Sequence, residues 1–119
     1  MPDMKTYTGG CHCGAVRYEV KTDLNYVIEC NCSLCFKRGN ILAFVPADQF
    51  TLLSGEEKLT DYQFNKKIIH HLFCSICGVG SFGRGVGKND APMAAVNLRC
   101  MDGVDLSTLT INPYNGKDA

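Results

Sequence analysis

Tryptophan is absent, and no apolar run approaches the roughly 18 residues that a membrane-spanning helix needs. A dominant charge is missing too, since 12 Lys and Arg face 12 Asp and Glu. A formal charge of zero argues against a protein built to hold nucleic acid or an anionic membrane. The opening Met1-Pro2-Asp3-Met4-Lys5 has no apolar h-region, so no secretory signal is expected and the cytoplasm is the expected compartment. There is no internal repeat, no low-complexity tract and no long stretch with a 3.6-residue period. In bulk the chain is ordinary. With 45% hydrophobic and 20% charged residues in 119, it suits one globular domain over residues 1–119, with a modest core. The exception is cysteine, at 8 residues.

The periodicity along the chain is mostly two, so a mainly β fold of short strands is expected. Lys5–Thr8 reads as a first strand ended by Gly9-Gly10, and Ala15–Val20 as a second. Tyr26–Cys30 and the apolar run Ile41–Val45, closed by Pro46, read as further strands. Thr51–Leu53, Gly55 and Lys58–Phe64 suggest a hairpin. Lys67–Phe73 leads into Cys74, Val79–Phe82 leads away from Cys77, and Ala94–Leu98 reads as the last strand. Helical turns are expected only at Ser33–Arg38, Ala47–Phe50 and Leu106–Leu109. Gly83-x-Gly85-x-Gly87 lacks a strand-to-helix context, so it reads as a hairpin or loop and not as a phosphate cradle.

The cysteines fall as Cys11-x-Cys13, Cys30-x-Cys32-x-x-Cys35, Cys74-x-x-Cys77 and a lone Cys100. Neighbours this close cannot readily bridge each other as disulfides, but they can share one ion from a tight turn. In a reducing compartment the spacing therefore points to zinc. Cys74-Ser75-Ile76-Cys77-Gly78 has the form of a zinc knuckle, in which Gly78 can take a positive φ and turn backbone N–H groups toward sulfur. Cys11-His12-Cys13-Gly14 is a second half-site, and the two halves complete a four-thiolate set. The triplet Cys30, Cys32 and Cys35 fills three corners of a second tetrahedron. Its fourth position is either open, as in catalytic zinc, or closed by Cys100, His70 or His71. Two zinc ions per chain are thus expected.

The motifs C-H-C-G, C-N-C-S-x-C and F-C-x-x-C-G, with Gly10–Tyr18 and Leu98–Gly103 around them, resemble the glutathione-dependent formaldehyde-activating enzyme family. That family shares a zinc-clipped β-tent fold of short antiparallel strands with centromere protein V. The resemblance covers nearly the whole chain. It implies a structural zinc on Cys11, Cys13, Cys74 and Cys77 and a catalytic zinc on Cys30, Cys32 and Cys35. It also implies carbon–sulfur lyase chemistry on S-(hydroxymethyl)glutathione, the adduct of glutathione and formaldehyde. The triplet and the Tyr62–Asn65 stretch look nearer the centromere protein V branch, which keeps a non-catalytic zinc-stabilised binding module as the alternative.

Lys37 and Arg38 follow the triplet and, with Arg99, are candidates for holding substrate carboxylates. Seven thiolates on two Zn²⁺ add about −3 of charge, so nearby cations are useful. His70 and His71 should alternate on a strand, one inward and one outward, and either could serve as acid or base. Asn31 and Ser33 are placed to hydrogen-bond the ligand sulfurs. Phe36 and Phe44 read as core.

Overall fold

A computed structural model of the chain describes residues 4–24, 26–30, 33–63, 70–86 and 91–114, with only the backbone at 33, 35 and 36. The architecture is mainly β, as the sequence leads one to expect. The strands are β1 (Lys5–Gly10), β2 (Arg17–Thr22), β3 (Val27–Cys30), β4 (Leu42–Pro46), β5 (Phe50–Ser54), β6 (Leu59–Tyr62), β7 (His70–Cys74), β8 (Phe82–Val86), β9 (Pro92–Asn97) and β10 (Ile111–Tyr114). One six-residue helix, α1 (Ser33–Arg38), follows β3, and single 3₁₀ turns stand at Ala47–Gln49 and Leu106–Thr108 where helical turns were expected. Among the described residues no helix is long and apolar enough to cross a membrane.

Two sheets form, with orders β1-β2-β5 and β10-β3-β4-β9-β8-β7-β6. Among the described residues every pairing is antiparallel except β10 with β3. Between the sheets lies the main core, with Tyr18, Val16, Val20, Val27, Val96 and Leu98 almost wholly buried. Aromatic rings mark its centre, with centroids 4.6 Å apart for Phe50–Phe82 and 5.3 Å for Tyr18–Phe50. A smaller cluster of Ile28, Cys30 and Leu42 is separate from this core. Val27 belongs to the main core and Ile28 to the small one, as side-chain alternation along β3 requires.

Four details depart from the sequence reading. Gly9-Gly10 does not end β1. Gly9 stays in the ladder opposite Tyr18 because a Cβ there would lie 2.4 Å from the Cys100 carbonyl oxygen. β5 and β6 do not form the expected hairpin, since β5 pairs with β2 in one sheet and β6 with β7 in the other. Gly83 and Gly85 lie within β8, one arm of the antiparallel β8–β9 pair, in keeping with the hairpin reading of the glycine run, while Gly87 and Phe64–Ile69 lie outside the described residues. β10 is an additional strand beyond the expected last one. Its short Ile-Asn-Pro-Tyr run lacks alternation, and Pro113 is tolerated because β10 is an edge. Phe44 is 47% exposed and not core, because it faces away from the neighbouring Ala43 and Val45, which are buried.

Candidate metal centre

Cys11, His12, Cys13 and Gly14 occupy the connection between β1 and β2. It is closed by the Cys11 N–H donating to the Val16 carbonyl at 3.0 Å. Cys74 ends β7, and Cys77 lies in the turn that leads to β8. Two hairpin tips, one from each sheet, therefore meet. Both carry glycine in the left-handed region just after the second cysteine, with φ of 84° at Gly14 and 81° at Gly78. The Gly78 N–H closes the knuckle by donating to the Cys74 carbonyl at 2.8 Å. Backbone amides also point at sulfur, Val16 N–H to Cys11 Sγ at 3.3 Å and Ile76 N–H to Cys74 Sγ at 3.4 Å.

The four Sγ atoms of Cys11, Cys13, Cys74 and Cys77 all lie within 4.8 Å of one another. Sγ separations are 3.6 Å for Cys11–Cys13 and 3.7 Å for Cys13–Cys74. A tetrahedron of sulfurs each ~2.3 Å from a zinc ion has edges of ~3.8 Å, so these separations fit that ion. Ionisation within the group is uneven. The Val79 amide, then the Cys13 amide, pull the Cys77 thiol down to about 6. At Cys13 the Ala15 amide favours the thiolate, but desolvation and the three neighbouring sulfurs push the thiol up to about 11. Thiolates crowded this closely repel one another, and a divalent cation relieves that repulsion. The four cysteines can hold one metal ion.

The profile of the glutathione-dependent formaldehyde-activating enzyme family matches residues 6–114. The chain belongs to this family. A Talaromyces marneffei protein provisionally named as a glutathione-dependent formaldehyde-activating enzyme is 31% identical over 80 residues, 62% of this chain. The match spans only 42% of that relative, so the chain covers less than half its length. The crystal structure of a Rhodobacter sphaeroides protein superposes with a TM-score of 0.79 at 32% identity, covering 91% of this chain and 99% of that one. The fold is the one adopted by this family.

The other expected residues of this family member are placed in part. Cys30 ends β3 and is buried in the small cluster, away from the four-cysteine group. Cys35 lies on α1 with its backbone alone described, and Asn31 and Cys32 lie outside the described residues, as do the side chains of Ser33 and Phe36. Lys37 is exposed. Arg38, half-buried, sets its guanidinium 5.8 Å from the centroid of the Phe73 ring. Arg99 donates from Nε to the Gly39 carbonyl at 3.1 Å. The three cations thus gather at the C-terminal end of α1.

Cys100 is not one of the four clustered sulfurs. Burial, then the charges of Cys11 and Cys77, push its thiol up to about 11. His70 is exposed and pairs through Nδ1 with Asp61 at 2.6 Å. His71 is half-buried, so the two histidines alternate as the strand pattern requires. The sequence reading passed over Asn97 and Ser81. Asn97 is buried, and its side chain ties Asn40, Gly80 and the Arg99 amide together. Neither residue belongs to a recognisable motif.

Proposed function

We propose that the protein is a zinc-dependent carbon–sulfur lyase acting on S-(hydroxymethyl)glutathione. In this reading Cys11, Cys13, Cys74 and Cys77 hold a structural zinc, and Cys30, Cys32 and Cys35 hold a catalytic one. Residues 1–119 act as a single zinc-clipped domain. The reading is carried by the family match across residues 6–114, and the four-sulfur set at the expected positions supports it. When bound, a zinc ion with an open coordination position supplies Lewis acidity and lowers the pKa of a hydroxyl or thiol presented to it.

The chain's own residues then bind and orient. Cys30, Cys32 and Cys35 would hold the ion, and Lys37, Arg38 and Arg99 would offer positive charge where glutathione brings two carboxylates. The C–S bond breaks with its electron pair passing to sulfur, while the hydroxyl proton passes to the departing thiolate or to solvent and the hydroxyl oxygen becomes the carbonyl of formaldehyde. Holding both fragments in one site makes the reverse addition effectively intramolecular.

Exchange spectroscopy of formaldehyde with glutathione, with and without the protein, tests the reading. Faster exchange that disappears in Cys32→Ser supports it. An unchanged rate, with no glutathione binding at millimolar concentration, leaves the non-catalytic zinc-stabilised binding module as the better account.

A further inference from the structure

At residues 54–58 the chain crosses from β5 in the three-stranded sheet to β6 in the seven-stranded one. This turn touches both hairpin tips that carry the clustered sulfurs. On one side the Ser54 hydroxyl donates to the Ala15 carbonyl at 3.2 Å. Gly55 packs so closely there that an added Cβ would lie 2.3 Å from the same oxygen. Ala15 stands two residues after Cys13, and its amide hydrogen-bonds the Cys13 sulfur. On the other side the Ser75 amide donates to the Lys58 carbonyl at 2.8 Å. Ser75 directly follows Cys74, and Leu59, next after Lys58, pairs with Cys74 in the β6–β7 ladder. The turn therefore bridges the same two tips that a metal ion on the four cysteines would bridge.

Its own packing is slight. Ser54, Glu56, Glu57 and Lys58 are exposed, and Gly55 alone is buried. The turn sends no apolar side chain into the core, and it borders a cavity of about 310 Å³ that Arg84 of β8 also lines. A segment with so few buried apolar contacts opens at lower free energy than the sheets around it. By contrast, β2 and β3 each have a hydrogen-bonded strand on either side and send Tyr18, Val20 and Val27 into the core.

We infer that the 54–58 turn is a metal-dependent strap. With an ion on the four cysteines, the two tips are held at the separation that the turn spans, and the strap is closed. When the ion leaves, the tips are free to part, the ties to Ala15 and Ser75 fail first, and the backbone at Glu56 and Glu57 opens while both sheets stand. Metal occupancy is then displayed at the surface as a change of conformation. The coupling is reciprocal, so a closed strap also helps to retain the ion. This inference rests on metal at the four cysteines and not on the lyase reading.

Limited digestion of the full chain with glutamyl endopeptidase, mapped by mass spectrometry, tests it. The chain has four glutamates, Glu19, Glu29, Glu56 and Glu57. Glu19 lies on β2 and Glu29 on β3, so cleavage there reports on the sheets, whereas cleavage at Glu56 or Glu57 reports on the strap. The zinc-loaded protein should resist at all four. After EDTA has removed the metal, cleavage at Glu56 or Glu57 should be about tenfold faster, as expected for the loss of one or two hydrogen bonds, with Glu19 and Glu29 still protected. Ser54→Ala keeps all four thiols and should surrender zinc to a chromogenic chelator faster than the wild type. Equal cleavage at Glu56 and Glu57 with and without zinc would overturn the strap, as would unchanged zinc release in Ser54→Ala. Equally fast cleavage at Glu19 and Glu29 in the stripped protein would overturn it too, because the whole fold would then open with the metal. A chain that takes up no zinc would leave the turn nothing to report and would likewise overturn it.

Discussion

His71 lies half-buried on β7, and burial followed by the charge of Arg38 holds its imidazole below the ordinary value. Asp61 pulls the other way and His70 adds to the depression, without changing the outcome. The unfolded chain then takes up a proton near pH 6.5 while the folded chain does not. His71 therefore makes stability fall as pH drops from about 6.5 toward the lower folded value, with no contribution to the slope above that range. Urea midpoints at pH 7 and pH 5.5 should differ less in His71→Gln than in the wild type. An equal difference would place the pH dependence elsewhere. At this scale the sequence was informative wherever residue type alone dictates chemistry, as with four cysteines in two short-spaced pairs. It was silent on Asn97, whose role depends on what its side chain ties together after folding.

Elements were legible where a period of two ran uninterrupted, as in β2, and where Ser33–Arg38 formed the expected turn of helix. They were misread where a local signal had a tertiary cause. The glycines of β8 leave hairpin and loop undecided in isolation; a Cβ at Gly83 would sit 2.9 Å from the His70 carbonyl oxygen, so only glycine lets β7 and β8 approach there. The β5–β6 stretch looks like a hairpin because both arms alternate, but Gly55 sends them into different sheets. Gly55 has φ of 90°, and an added Cβ would lie 2.3 Å from the Ala15 carbonyl oxygen. Gly55→Ala should therefore destabilise by about 2 kcal/mol or more, combining left-handed strain with a backbone clash. Gly103→Ala, at φ of 73° with open space around it, should lose only about 1 kcal/mol. Denaturant unfolding of the pair checks this, and equal losses would mean that the close packing at Gly55 carries no energy.

For the whole molecule, the four-cysteine group matters because it joins two sheets. Cys13 and Cys74 are 61 residues apart, and closing a loop of that length restricts the unfolded chain by on the order of 4 kcal/mol. Cys13→Ser is the cleaner probe, since Cys13 is exposed and its replacement disturbs little packing. It should lower unfolding stability by a few kcal/mol and release one metal equivalent, read by denaturation and metal analysis, whereas Cys32→Ser should release one equivalent and leave the fold standing. If Cys32→Ser unfolds as badly as Cys13→Ser, the division between structural and catalytic cysteines is wrong.

The parallel pairing of β10 with β3 has a consequence for biosynthesis. Asn112 Nδ2 reaches the Val27 carbonyl across 85 residues of sequence. At ribosomal speeds of about 5–20 residues per second, the strand that ends in Cys30 waits roughly 4–17 s for its edge partner to be made. Throughout that interval Cys30 is synthesised but lacks the strand that pairs with it, so its thiol meets the reductants of its surroundings before the edge of the sheet is complete.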